Sequence, residues 1–379
     1  MTSPSIVAAS PTFSSKDLPE LLSFASRGLV PMFDAKRQQF CHRLLRTNDG
    51  LVIEDLSPRY TIMTLLGLRE LELTGMRSQF DVRSIYSSFV GDTDWIDGIG
   101  DLGLLIWLTS AFEPDRVQNI LDRFEYDTAL EKYPDARTAR TMELAWFLAG
   151  LAHAAETSSK LLSALMDVSV ETYHRIEGNQ GEYGFFGHMG TKNSLAGRLR
   201  GAIGSFADQV YPIYAISKFA KAFQVEDPLG RALECASAIC RAQGDLGQWW
   251  WLYDSISGRT SSRYPVYAVH QHGMAPMALF AVEEATGQSF RSSISKGLNW
   301  IYGANELRAD MRDAETNLIW RCIQPKKTQS KYWEMATSLV RAPHEDFSPD
   351  SLKVLYEQRP YEYGWLLFAF AKHSTTQSA

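Results

Sequence analysis

Three stretches of this 379-residue chain share one opening: Pro58-Arg59-Tyr60, Pro212-Ile213-Tyr214 and Pro265-Val266-Tyr267, with Pro360-Tyr361-Glu362-Tyr363 as a looser fourth. Proline fixes φ and has no amide hydrogen, so it suits the first helical turn, where that hydrogen would lack a partner anyway. Ser57 adds an N-cap oxygen ahead of Pro58. Tyr211-Pro212-Ile213-Tyr214-Ala215 and Tyr264-Pro265-Val266-Tyr267-Ala268 match almost residue for residue. One helix start repeated at irregular spacing predicts helical hairpins joined by loops of unequal length, not a tandem array.

The rest of the chain agrees. Apolar residues recur at helical spacing through most of it, and no stretch reads as a strand of period two, so the expected class is all-α. The element lengths allow about six long-and-short helix pairs, enough to close a single (α/α)6 toroid with inner helices opening near Pro58, Pro212, Pro265 and Pro360 on one face. Residues 1–15 are small and polar and are expected to be disordered. The toroid should span residues 16–373, and residues 374–379 form a polar tail. Residues 304–357 resist assignment.

Composition narrows the function classes. A 45% hydrophobic content supports a sizeable core, and a net charge of −6 with no basic tail argues against nucleic-acid partners. There is no basic-then-apolar leader and no run long enough to span a membrane. Cys41, Cys235, Cys240 and Cys322 are scattered without a CxxC pair, which fits a reducing, cytoplasmic setting and excludes a thiolate zinc motif. His270 and His272 are two apart and share no helical face, so no metal or cofactor is expected there.

Gln243 to Met277 is the most unusual segment. Trp249, Trp250 and Trp251 cannot all face one core in a helix or a strand, so at least one should line a cleft. If Pro265 opens a helix, then Tyr264, Tyr267, His270 and Gln271 fall near one face.

Gln243-Gly244-Asp245-Leu246-Gly247-Gln248-Trp249 is similar to the Q-x-x-x-G-x-W turn of terpenoid cyclases and protein prenyltransferases, the squalene-cyclase type of repeat. Gln180-Gly181-Glu182-Tyr183-Gly184-Phe185-Phe186 is a degraded second copy. The resemblance implies an α/α toroid. The chemistry of those families does not carry over by motif: Asp92-Thr93-Asp94-Trp95 holds only part of the cyclase D-x-D-D pattern, and Cys322 lacks the Asp and His partners of a prenyltransferase zinc site.

Inner helices that open at one mouth would converge their free N–H groups on an anion. Arg59, Arg263 and Arg359 flank the opening prolines, Arg137 and Arg140 stand near another start, and Arg198 and Arg200 precede the Pro212 helix. Arginine forks suit carboxylate or phosphate; the bland alternative is ordinary surface pairing. Trp249, Trp250, Trp251, Tyr253, Tyr264, Gln271, Tyr214 and Gln209 would form the ligand wall, whose aromatic faces suit sugar rings or isoprenoid chains. Tyr267, His270 and Tyr211 are candidates for proton transfer, a nearby guanidinium favouring tyrosinate. Asp208, Glu182 and Asp254 offer carboxylates, with Asp94 and Asp97 in an acidic loop; Asp208 could equally be a local cap, and His188 a plain loop residue. The leading expectation is a carbohydrate-active enzyme acting on an acidic, uronate-containing sugar chain by elimination, epimerisation or hydrolysis. An isoprenoid-binding enzyme and a non-catalytic toroid are the alternatives. On the first reading, Tyr267→Phe should abolish turnover.

Overall fold

The computed structural model describes residues 13–190, 201–327 and 347–374. Six inner helices form the ring: α2 (Pro58–Leu73), α4 (Ile99–Phe112), α6 (Thr141–Ala155), α8 (Ala207–Phe223), α10 (Ala275–Thr286) and α12 (Pro360–Ser374). Each packs on the next, and α12 returns to α2. Helices α4 and α6 are apolar almost all round and almost wholly buried, as expected of elements enclosed on every side. The outer layer comprises α1 (Leu18–Gly28), α3 (Val82–Val90), α5 (Val117–Arg123), α7 (Ser159–Glu177), α9 (Leu229–Ala242) and α11 (Arg291–Ile301). These bury one stripe only. In α7 it is Leu161, Leu165, Val168, Thr172 and Ile176. The (α/α)6 toroid of helical hairpins is therefore the fold.

Inner-to-outer connections are short, at 74–81, 113–116, 156–158, 224–228 and 287–290. Of the outer-to-inner connections, 91–98 is equally short, but those at 29–57, 124–140, 178–206, 243–274 and 302–359 are much longer. All the long ones gather at the N-terminal ends of the inner helices.

The glutamine turns brace the ring. Gln180 Nε2 donates to the Gly184 carbonyl at 3.0 Å and to the Arg231 carbonyl of α9 at 3.0 Å. Gln243 Nε2 does the same to Gly247 and to Ser293 of α11, both at 3.0 Å. Gly184 (φ 89°) and Gly247 (φ 97°) occupy the left-handed region and lie against the backbone of Glu234 and Lys296. Each turn thus ties one outer helix to the next, a packing role that explains the repeated Q-x-x-x-G spacing.

Inner helices approach closely through glycine. A Cβ on Gly150 would strike the Gly103 carbonyl, and one on Gly67 the Gly364 carbonyl. Gly150→Ala is expected to destabilise the fold by about 1–3 kcal/mol through overpacking; urea unfolding with an unchanged midpoint would refute this tight contact.

Three readings need correction. Strands do occur where none was expected: β1 (Gln39–Thr47) and β2 (Gly50–Leu56) form a hairpin. Asn48-Asp49 before Gly50 is a hairpin signal the sequence did carry. Pro212 lies inside α8, which starts at Ala207. Pro265, joined to Tyr264 by a cis peptide, opens no helix. It leads into β3 (Val266–Tyr267), which pairs with β4 (Cys322–Pro325), and β4 pairs in turn with β5 (Leu352–Leu355). The chain becomes helical only at the single π-helical turn His270–Met274 that runs into α10. The starts at Pro58 and Pro360 stand, with Ser57 Oγ accepting from the Tyr60 amide at 3.2 Å. The readings of residues 1–12 and 375–379, and of Arg198 and Arg200, lie outside the described residues.

Candidate active site at the mouth of the ring

Three acids stand at the starts of three successive inner helices. On α4, Asp101 is buried and accepts from Arg59 Nε and Nη2, both at 2.8 Å. The Arg59 guanidinium also lies 5.2 Å from the Trp146 ring. On α6, Glu143 is mostly buried and its Oε2 has no hydrogen-bond partner among the described residues. On α8, Asp208 Oδ2 accepts from the Ser205 amide and hydroxyl, both at 2.8 Å, and faces His188 Nδ1 at 3.2 Å. Its Oδ1 is buried without a partner among the described residues. Burial pushes the Glu143 carboxyl up, and the Asp208 charge pushes it further. The His188 carbonyl accepts the Thr141 amide at 3.0 Å, which fixes this loop to the start of α6.

A cationic and aromatic wall completes the mouth. Arg321, nine-tenths buried, donates from Nη1 to Glu362 Oε1 at 2.6 Å and lies 3.4 Å from Glu357 Oε1. Its guanidinium is 5.0 Å from the Tyr267 ring. Arg359 donates from Nε to Glu357 at 2.7 Å and from Nη1 to the Tyr60 hydroxyl at 2.9 Å. Tyr60 packs on Tyr361 at 4.5 Å. Burial pushes the Glu362 carboxyl up to about 7 against the pull of Arg321.

The sequence-derived candidates divide sharply. Tyr267 and His270 do meet, with ring centroids 5.1 Å apart, but through a strand end and a π turn instead of a shared helix face. Burial pushes the Tyr267 phenol up to about 12 despite Arg321, which works against the expected tyrosinate. Burial likewise pushes the His270 imidazole down to about 3. Trp251 is half-buried and packs on both, 5.1 Å from Tyr267 and 6.3 Å from His270. Tyr211 is buried beneath, its hydroxyl accepting from Trp365 Nε1 at 2.9 Å.

The others are structural or lie elsewhere. Trp249 is fully buried against Phe206. Trp250 donates its indole hydrogen to the Ala242 carbonyl at 2.8 Å, beneath the Arg263 guanidinium. Arg263 therefore packs on this corner. Tyr253 is fully buried and accepts from the Trp250 amide at 3.1 Å. Tyr264 donates to Glu306 at 3.0 Å. Gln271 donates to the Tyr267 carbonyl at 3.2 Å. Gln209 clamps Phe186 by accepting from its amide and donating to its carbonyl, each at 2.8 Å. Asp254 caps a turn by accepting from the Ile256 amide at 2.9 Å and the Ser257 hydroxyl at 2.7 Å. Glu182 is exposed in the first glutamine turn. Tyr214 lies at the other end of the ring, beside His153.

Asp101, Glu143, Trp146, Arg321, Glu357 and Glu362 escaped the sequence reading. Asp101, Glu143 and Glu362 each stand in the first turn of an inner helix, so acids at helix starts were the available signal. Among the described residues no group of three His, Cys, Asp or Glu side chains could hold a metal ion, and no helix is long and apolar enough to cross a membrane.

A toroid whose mouth is lined by acids, arginines and aromatic rings is the class of molecule these features define. No protein-family model matches the sequence, and no curated protein is similar to it in sequence. Solved structures match along nearly its whole length. A possible member of the GH105 family from Salmonella enterica has a TM-score of 0.60 at 11% identity, covering 99% of this chain and 98% of that one. An unsaturated glucuronyl hydrolase mutant from Streptococcus agalactiae, complexed with dGlcA-GalNAc6S, gives 0.61 at 12% over 97% and 94%. A sugar epimerase from a ruminal bacterium gives 0.61 at 11% over 93% and 99%. Identities this low carry the fold alone. They also overturn the resemblance to terpenoid cyclases and protein prenyltransferases: the matching toroids are sugar enzymes, and the glutamine turn that suggested the kinship is a packing clamp.

Proposed function

We propose that the protein is an enzyme that hydrolyses a uronate-containing oligosaccharide at the mouth of the ring. The observation that carries this is the pair Glu143 and Asp208. Each is buried with one carboxyl oxygen unpartnered among the described residues, and Glu143 is biased toward its protonated form by burial and by Asp208. Two carboxyl groups, one of them able to give up a proton, are the requirement for glycoside hydrolysis. Glu143 gives its proton to the glycosidic oxygen as the bond to the anomeric carbon breaks. Asp208 takes a proton from the water whose oxygen joins that carbon. Arg59, Arg140 and Arg359 face the uronate carboxylate, while Trp251, Tyr267 and Trp146 supply ring faces. The similar glucuronyl hydrolase, complexed with dGlcA-GalNAc6S, supports an acidic sugar. Four cysteines outside any disulfide support a cytoplasmic setting.

The test is release of reducing ends from a panel of acidic and neutral oligosaccharides, with solvent deuterium uptake at C5 as the mark of elimination or epimerisation. Asp208→Asn is expected to lower turnover on acidic substrates about 100-fold or more. Tyr267→Phe should keep it within about tenfold, because a phenol and an imidazole shifted this far from neutrality make a poor acid–base pair. Cleavage of neutral sugars alone, or full activity in Asp208→Asn, would sink the assignment.

A further inference from the structure

The opposite end of the ring holds a cavity of about 290 Å³, lined by the C-terminal halves of all six inner helices. A packed layer separates it from the mouth: Tyr211 and Trp365 are both buried and bonded to each other on the axis. The floor is aromatic. Trp107 is stacked by His153 at 4.8 Å and by Tyr214 at 5.0 Å, with Phe368 edge-on at 5.4 Å. His153 Nε2 and the Tyr214 hydroxyl are 2.8 Å apart, so the polar edge of this floor is already satisfied.

The cations around the rim are not equivalent. Lys221 and Lys372 both pair with Glu284. Arg69 donates to the Ala111 carbonyl at the end of α4. Lys218 has no ion-pair or hydrogen-bond partner among the described residues. Its ammonium sits 6.0 Å from the Tyr214 ring, and burial holds its pKa below the usual lysine value. Glu70, across the cavity, is also without such a partner there, and burial pushes its carboxyl up. The Glu284 and Glu156 charges act on this half-buried ammonium without forming an ion pair with it, which leaves its head group open to an anion that enters the cavity. The volume is at the small end for ligand pockets, and the walls are apolar and polar in roughly equal measure.

We propose that this cavity is a second ligand site, built for a compact monocarboxylate whose apolar body lies on Trp107, Tyr214 and Phe368 and whose carboxylate meets Lys218. One unpaired cation opposite an acid selects a monoanion over a dianion. The site is independent of the chemistry at the mouth.

Benzoate is the probe, with benzyl alcohol, benzylamine and phthalate as neutral, cationic and dianionic counterparts. Calorimetry on the full chain should show one benzoate site per chain, binding about tenfold or more tighter than benzyl alcohol, since a charged hydrogen bond is at stake. Lys218→Met and Lys218→Gln should abolish that preference, while Lys218→Arg and Glu143→Gln keep it. In the wild type, benzoate should protect Lys218 from acetylation, read by peptide mass spectrometry, a measurement that needs no variant to fold. Absence of saturable benzoate binding, equal binding of benzyl alcohol, tighter binding of benzylamine or phthalate, or loss of binding in Glu143→Gln would each overturn the proposal.

Discussion

Glu143→Gln is expected to reduce turnover of an acidic oligosaccharide by roughly 10²–10⁴-fold, the usual contribution of a positioned general acid, with little effect on folding. Gln keeps the shape of the side chain but cannot give up a proton. It also removes the buried ionisable group whose pKa burial, and after it the Asp208 charge, raises above its ordinary value, so the variant should melt no lower than the wild type. The pH dependence follows from the same shift. An acid works only while protonated, so wild-type kcat should fall as pH rises through the raised Glu143 pKa. Residual activity in the variant should lack that alkaline limb. A kcat–pH series beside a melting curve checks both, and turnover within about threefold of wild type would remove Glu143 from the mechanism.

Arg321→Met is the second large expected effect, and it falls on stability. The substitution strips the buried Glu362 of its ion pair and leaves Glu357 with Arg359 and Arg43. Removing one partner of a buried pair leaves an uncompensated charge and costs roughly 3–5 kcal/mol. The direction with pH is specific. Burial already lifts the Glu362 carboxyl from 4.5 to about 7 with Arg321 present, and without it the shift must grow. A carboxyl raised in the folded state binds more protons folded than unfolded, so its effect on stability worsens as pH climbs above its unfolded value. The deficit of Arg321→Met should therefore be larger at pH 8 than at pH 5 in urea titrations. An equal deficit at both would mean that lost packing, not the carboxylate, sets the cost.

The ring was legible because its signals are local. Ser57-Pro58 and Pro360 mark helix starts by their own covalent geometry, and the stripes of the outer helices are written at helical spacing. Pro265 misled because the same fixed φ also serves an extended segment; pairing of Val266 and Tyr267 with Ile323 and Cys322 decided between the two. That partner lies far along the chain, where no local pattern reaches it. The candidate site was legible only in part, for the same reason. Asp208, His188 and Arg59 were recognisable as groups that want partners, but the partners Glu143 and Asp101 sit in helix first turns whose sequences read only as capping. The tryptophan triplet drew attention by rarity, yet Trp249 and Trp250 are corner residues and Trp251 alone of the three packs on Tyr267 and His270.

The seam between α2 and α12 bears on how such a chain is made. Gly67 rests on Gly364, Tyr60 on Tyr361, and Arg359 reaches back to the Tyr60 hydroxyl across 299 residues. While a ribosome is still translating the middle of the message, α2 has one ring neighbour in place and an open flank at Tyr60, Met63, Thr64 and Gly67 that only α12 will cover. Intermediate hairpins can add in order, each on the last, but the final one must dock on two partners at once. Synthesis thus carries a long interval in which an oily edge waits for its mate, and exposed apolar surface of that kind favours aggregation until the ring closes.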